Sequence, residues 1–453
     1  MYLGGDLLRK VKLGRQIWLN LVIFGFMGQV AWSMENVYFN TFLFNTIGGT
    51  TRDISRMVAL SAATAVVTTF LIGTLSDKVN SRKLFIAPGY ILWGATVAVF
   101  AFISRDNVGS LLGLSDEAAV VTATVGVVIL MDCVMTFMGS TSNDAAFNAW
   151  VTDITVPENR GTAEGVLAVM PILSTLIVTV GFGAGVSTFG YPKCFLALGG
   201  AVAFSGVLGF FTIKDKPGGH RSDSNYFKDL IYGFRPSVIR ENRRLYLALA
   251  AVCIFSTAVQ MFLPYLFIYL QHYLGFDIAN MNITPKAAVI AVGALLVFIA
   301  GAVGLGVMVD RFGKSRFALP SVAVFVIGLF AAAFVERLAV FGALAPVIVA
   351  GYGLLMIILN ATVRDFTPEE KVGQFQGIRM IFFVLIPMVL GPYAGNSVIE
   401  SFASKHAAGT FVNEFGEIVN VPVPEIFAAA AMAGIFIIVP LLLIRKDMKE
   451  AKS

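Results

Sequence analysis

Four charged residues stand inside stretches that are otherwise apolar: Glu35, Asp132, Asp144 and Arg379. A charge in hydrocarbon costs about 2.5–3.5 kcal/mol even on lenient insertion scales, so each should face a cavity or a partner. Glu35 is the leading candidate for contact with a solute or a coupling cation. A carboxylate shielded from water can be held near neutrality and then shed its proton when hydration or partners change, which is the chemistry of a proton carrier. The alternative is a carboxylate bonded to neighbouring helices for packing. Trp32, Asn36 and Asn40 recur at four-residue helical spacing around it and join it as candidate binding residues. Asp132 is a second candidate of the same kind. Arg379 either meets the solute or a gate, or snorkels to an interface about 10 Å away at 1.5 Å per residue. Asp144 would pair with it as an inner gate. Tyr265, Tyr269 and Gln260 add aromatic faces and an amide, which suit the apolar faces and polar edges of a sugar ring, and equally an amphipathic drug or lipid.

These groups need membrane helices to hold them. The chain has 453 residues, 57% of them hydrophobic and 13% charged, with a mean hydropathy of +0.80. That composition excludes a soluble globular protein. At about 20 apolar residues per crossing, the pattern predicts an all-α membrane protein of twelve spans, at about 17–45, 54–76, 83–104, 118–151, 162–187, 191–213, 245–273, 285–309, 316–335, 338–362, 373–400 and 424–444. The first apolar run leads straight into further spans and reads as a transmembrane helix, not a cleaved signal. An even number of spans puts both termini on one side. Basic residues such as Arg9, Lys10, Lys12, Arg15, Lys83, Arg316, Arg445 and Lys446 gather on that side, so both ends are expected in the cytoplasm of a multi-pass protein of the cell (inner) membrane.

The same loops account for the net charge of +5 without a nucleic-acid partner. Cys133, Cys194 and Cys253 lie in apolar runs with no metal or redox spacing, and His220, His272 and His406 are scattered. Neither a metal site, a cofactor nor a catalytic centre is expected, and no Gly-x-x-x-x-Gly-Lys-Ser/Thr loop is present to use ATP. The expected partners are a small-molecule solute and membrane lipid, with the chain acting as a monomer.

The chain also repeats itself. Asp153-Ile-Thr-Val-Pro-Glu-Asn-Arg-Gly161 returns as Asp365-Phe-Thr-Pro-Glu-Glu-Lys-Val-Gly373, and Gly73-Thr-Leu-Ser-Asp77-Lys-Val-Asn-Ser-Arg82 returns as Gly306-Val-Met-Val-Asp310-Arg-Phe-Gly313-Lys-Ser-Arg316. Two six-helix bundles follow, over 1–213 and 245–453, joined by a cytoplasmic linker at 214–244 that carries an amphipathic segment. Asp77, Arg82, Asp144, Asp153, Glu158, Arg160, Asp310, Arg311, Asp365 and Lys371 form the candidate gating set, as charge networks and helix-end contacts that break within a transport cycle. Topology and solvation alone are the alternative for single members. The outer loop at 401–424 suggests no chemistry.

The tracts from Gly73 and Gly306 resemble the cytoplasmic loop signature of the major facilitator superfamily, with Asn80 or Ser81 in the first copy where glycine is usual. Trp32-Ser-Met-Glu35-Asn36-Val-Tyr-Phe-Asn40, the linker FKDLIYGFRPSVIRENRRLY and FQGIRMIFFVLIPM from Phe375 are similar to the glycoside-pentoside-hexuronide cation symporters. This resemblance implies two bundles that alternate access to a midplane site. It also implies a cation held by acidic residues on spans one, two and four. Span two, from Met57 to Ser76, has no acidic residue, so a proton carried by Glu35 with Asp132 is the expected coupling ion and sodium the alternative. The expected activity is coupled symport of a sugar or glycoside-like solute, with an exporter or lipid flippase of the same fold as the rival.

Overall fold

A computed structural model describes residues 13–79, 81–155, 157–215, 232–276, 313–368, 372–413 and 415–450. Among these, ten helices are long and apolar enough to cross a membrane. They are α1 Arg15–Ile47, α2 Thr51–Val79, α3 Lys83–Phe102, α4 Glu117–Ile154, α5 Gly165–Thr212, α6 Arg243–Tyr273, α7 Lys314–Ala332, α8 Leu338–Phe366, α9 Gly377–Lys405 and α10 Glu425–Ile444. Helices dominate because hydrocarbon offers backbone groups no other partners. The long α5 breaks at Gly190, whose φ of 79° and following Pro192 end one helix and start another, so it holds both predicted spans five and six. Predicted span eight lies outside the described residues. The fold is the expected all-α membrane fold.

The chain divides into two compact units, Met1–Ile47 with Ala63–Asp223, and Gly48–Ala62 with Ser224–Ser453. The first turns of α2 thus belong to the second unit. The reason is local: Ser55 Oγ lies 2.7 Å from the Tyr265 hydroxyl and donates to the Pro392 carbonyl at 3.2 Å.

Within each unit, small residues let helices approach closely, since apolar burial alone cannot drive association in lipid. A Cβ on Gly94 of α3 would sit 2.3 Å from the Gly199 carbonyl oxygen of α5, and one on Gly395 of α9 would sit 2.0 Å from the Met261 carbonyl oxygen after the straight part of α6. Five of these helices carry π-helical turns: Glu35–Phe39 and Phe42–Ile47 in α1, Ser140–Phe147 in α4, Val178–Phe182 in α5, Tyr269–Tyr273 in α6 and Ile381–Leu385 in α9. Such wide turns recur at functional positions. Glu35, Asp144 and Tyr269 all fall in them.

The loop at 401–424 holds a hairpin of β1 Thr410–Val412 and β2 Ile418–Asn420, antiparallel with Phe411 opposite Val419. His406 anchors its base: Nε2 lies 2.7 Å from Glu425 Oε1, and Nδ1 lies 3.0 Å from the Tyr273 hydroxyl. The stretch that suggested no chemistry is therefore built into the second unit by side-chain bonds.

Candidate functional site

In the first unit, α1 and α4 bring the predicted carboxylates together. Glu35 is 9% exposed and Asp132 1% exposed. The Thr136 hydroxyl, one helical turn after Asp132, donates to Glu35 Oε1 at 3.2 Å. Cys133 lies within electrostatic reach of both carboxylates and is hydrogen-bonded to Thr64 of α2. Two acids and the Thr136 hydroxyl are thus buried together, with the half-buried Cys133 thiol and Thr64 hydroxyl beside them. Carboxyl, hydroxyl and thiol groups set together are the kind of side chains that hold and pass protons.

Asn36 and Asn40 turn inward on their own helix, donating to the carbonyls of Trp32 at 2.8 Å and Asn36 at 3.0 Å. Asn36 is exposed and Asn40 buried. Trp32 packs on Trp93 with ring centroids 4.9 Å apart. Gly139 makes room for that pair, since a Cβ there would lie 2.8 Å from the Trp93 ring. Asp144 is half-buried and accepts from Ser140 Oγ at 2.9 Å. One turn of α4 also carries Asn143, which donates to the Tyr90 hydroxyl at 2.7 Å, and Tyr90 in turn donates to the Phe24 carbonyl at 2.6 Å.

In the second unit, Tyr265 and Tyr269 are fully buried. Tyr265 donates to the Pro392 carbonyl at 2.8 Å and Tyr269 to the Val335 carbonyl at 3.3 Å, so both hydroxyls tie helix to backbone. Gln260 packs against α9, where a Cβ on Gly391 would lie 2.5 Å from its own Cβ. Arg379 is exposed, donates to Asn360 Oδ1 at 3.4 Å, and stands 4.9 Å from the centre of the Phe383 ring. Asp144 and Arg379 belong to different units, and each has a partner within its own.

The gating set divides. Arg82 Nε donates to Asp153 Oδ2 at 2.9 Å, and Lys314 Nζ donates to Asp365 Oδ2 at 2.5 Å. Asp153 and Asp365 are equivalent in the repeat, and both bases come from the equivalent loop. The duplication is therefore physical: each unit closes the same corner with the same kind of ion pair. The side chains of Asp77, Glu158, Arg160, Asp310, Arg311 and Lys371 lie outside the described residues. A cleft of about 600 Å³ in the second unit is lined by Glu241, Arg243, Arg244, Asp365 and Asp447 among others, and by none of the candidate solute-binding residues.

The family model described as Major Facilitator Superfamily matches residues 21–392 and 287–452. The chain belongs to the major facilitator superfamily. No curated protein sequence matches it. This facilitator has the fold of a bacterial homologue of the human lysosomal transporter Spinster in an inward-facing, unoccupied conformation, at 13% identity and a TM-score of 0.64 over 97% of this chain and 98% of that one. It is also similar to a single-site mutant of the nucleoside transporter NupG, at 12% identity and a TM-score of 0.70 over 94% of this chain and 99% of that one. At such identities the likeness shows the fold.

Thr136, Ser140 and Asp215 are not among the residues that the sequence of this facilitator singles out. Thr136 and Ser140 follow Asp132 at four-residue spacing, a pattern that was legible beside the carboxylate. Asp215 carried no such signal, because its partners lie more than a hundred residues away in the chain.

Proposed function

We propose that this facilitator is a secondary active symporter that couples proton entry to uptake of a sugar or glycoside-like solute across the cell membrane, with both termini in the cytoplasm. Membership of the superfamily carries the transport, and the Glu35–Thr136 bond beside buried Asp132 carries the coupling. An acid buried in a membrane helix next to a hydroxyl and a second acid has a reason to be there if it exchanges a proton during the cycle. The solute reading draws on the polar, aromatic wall of α1 at Trp32, Asn36 and Asn40. It draws also on the neighbour named as a nucleoside transporter, since a nucleoside is itself a glycoside. Purified protein in liposomes, screened with labelled glycosides and nucleosides under an imposed pH gradient, should show one that accumulates. Glu35→Gln should retain binding of that solute and abolish its gradient-driven accumulation; undiminished accumulation removes Glu35 from the mechanism.

A further inference from the structure

The last residues of α5 and the two that follow are held from several sides. The Thr212 carbonyl accepts from Gln16 Nε2 and Asn20 Nδ2, each at 2.9 Å, and the Lys214 carbonyl accepts from Trp150 Nε1 at 3.3 Å. Asp215 then reaches the loop between α2 and α3. Its Oδ1 accepts the backbone N–H groups of Arg82 and Lys83 at 2.9 and 3.0 Å, and its Oδ2 accepts the Ser81 hydroxyl at 2.6 Å. The side chain of Arg82, the residue at the N-terminal boundary of α3, makes no capping bond there. A helix start leaves N–H groups unsatisfied, and a carboxylate is the favoured group to meet them. Here that carboxylate comes from the root of the linker that leads to the second unit.

With its backbone fixed this way, the Arg82 side chain extends to Asp153 Oδ2 at 2.9 Å and to Ser76 Oγ at 2.6 Å. We infer that Asp215 is a positioning residue for the Arg82–Asp153 gate contact, so that the root of the central linker and the gate of the first unit move together. The loop at 80–83 has Asn80 and Ser81 where the second copy has Gly313 and can bend freely. Three bonds from Asp215 supply the constraint that the loop's own residues do not. A displaced linker root would lift the Arg82 backbone and draw its guanidinium off Asp153.

This inference rests on reading Arg82–Asp153 as a gate, and its test separates the two. The chain with its three cysteines changed to serine receives a cysteine at Asn148, exposed on α4 a turn before Asp153. The rate at which N-ethylmaleimide labels that cysteine is then compared across Asp215→Asn, Asp153→Asn and the double variant, with thermal unfolding measured alongside. Each single change should alter the rate at least threefold, and the double variant should match Asp153→Asn alone. Asp215→Glu should restore the original rate. If Asp153→Asn leaves labelling unchanged, the gate reading fails and this inference with it. If Asp153→Asn acts while Asp215→Asn is silent, or their effects multiply, Asp215 only caps α3 and the inference is overturned.

Discussion

At the scale of single residues, the proposed coupling rests on Glu35 and on what touches it. A typical hydrogen bond contributes about 0.5–1.5 kcal/mol net, so Thr136→Val should slow proton-driven accumulation by up to about tenfold, while Thr136→Ser retains it. The measurement is initial uptake into liposomes at a fixed pH gradient, and a valine variant as fast as the parent would remove Thr136 from the site. Tyr265 is different. Its place in an aromatic wall suggested solute contact, yet its hydroxyl meets Ser55 and the Pro392 carbonyl in a fully buried position. Tyr265→Phe keeps the ring and removes those bonds, and should destabilise the protein by about 1–3 kcal/mol. Thermal unfolding in detergent checks it: a lowered midpoint with intact solute binding marks a structural role, whereas an unchanged midpoint with lost binding returns Tyr265 to the solute. What the sequence showed at this scale was residue type and depth. It did not show hydroxyl direction, because a tyrosine at a given depth can point into a cavity or into a neighbouring helix.

At the scale of elements, the spans were legible because hydrocarbon thickness dictates their length, and the break at Gly190 was legible from the glycine-tyrosine-proline that makes it. The close pairing of α3 with α5 was not, since Gly94 and Gly199 look like any other glycines among the 44 in the chain. Gly94→Ala would drive a methyl group into the Gly199 carbonyl and should cost about 1–3 kcal/mol or more as overpacking. Gly126→Ala, with nothing within 4 Å of the added atom, should be neutral or gain up to about 1 kcal/mol from helix propensity. The fraction of each variant that stays monodisperse after heating distinguishes them, and equal losses would mean that the α3–α5 approach contributes nothing special. The π-helical turns were likewise invisible in sequence, as neither their polar members, such as Ser140–Phe147, nor their apolar ones, such as Ile381–Leu385, share a composition that marks an extra residue per turn.

At the scale of the whole molecule, orientation follows from charge. If both termini are cytoplasmic, a cysteine replacing Val412, exposed on the outer hairpin, should react in intact cells with a maleimide that cannot cross membranes, and one replacing Asp215 only after permeabilisation. The reverse pattern would invert the topology. The sequence by itself determined the membrane class, the spans, the twofold repeat and the superfamily, because each depends on composition or on motifs contiguous in the chain. It also singled out Glu35 and Asp132, which the structure buries, since a charge in an apolar run is visible without a fold. Only the tertiary structure decided which residues share a site. Thr136 meets Glu35, Asp215 meets Arg82, and the first turns of α2 join the second unit, through contacts between residues 101, 133 and 337 positions apart. Such contacts are set by the packing of whole helices, and spacing along one helix, as of Thr136 after Asp132, shows which face a residue shares but not what meets that face.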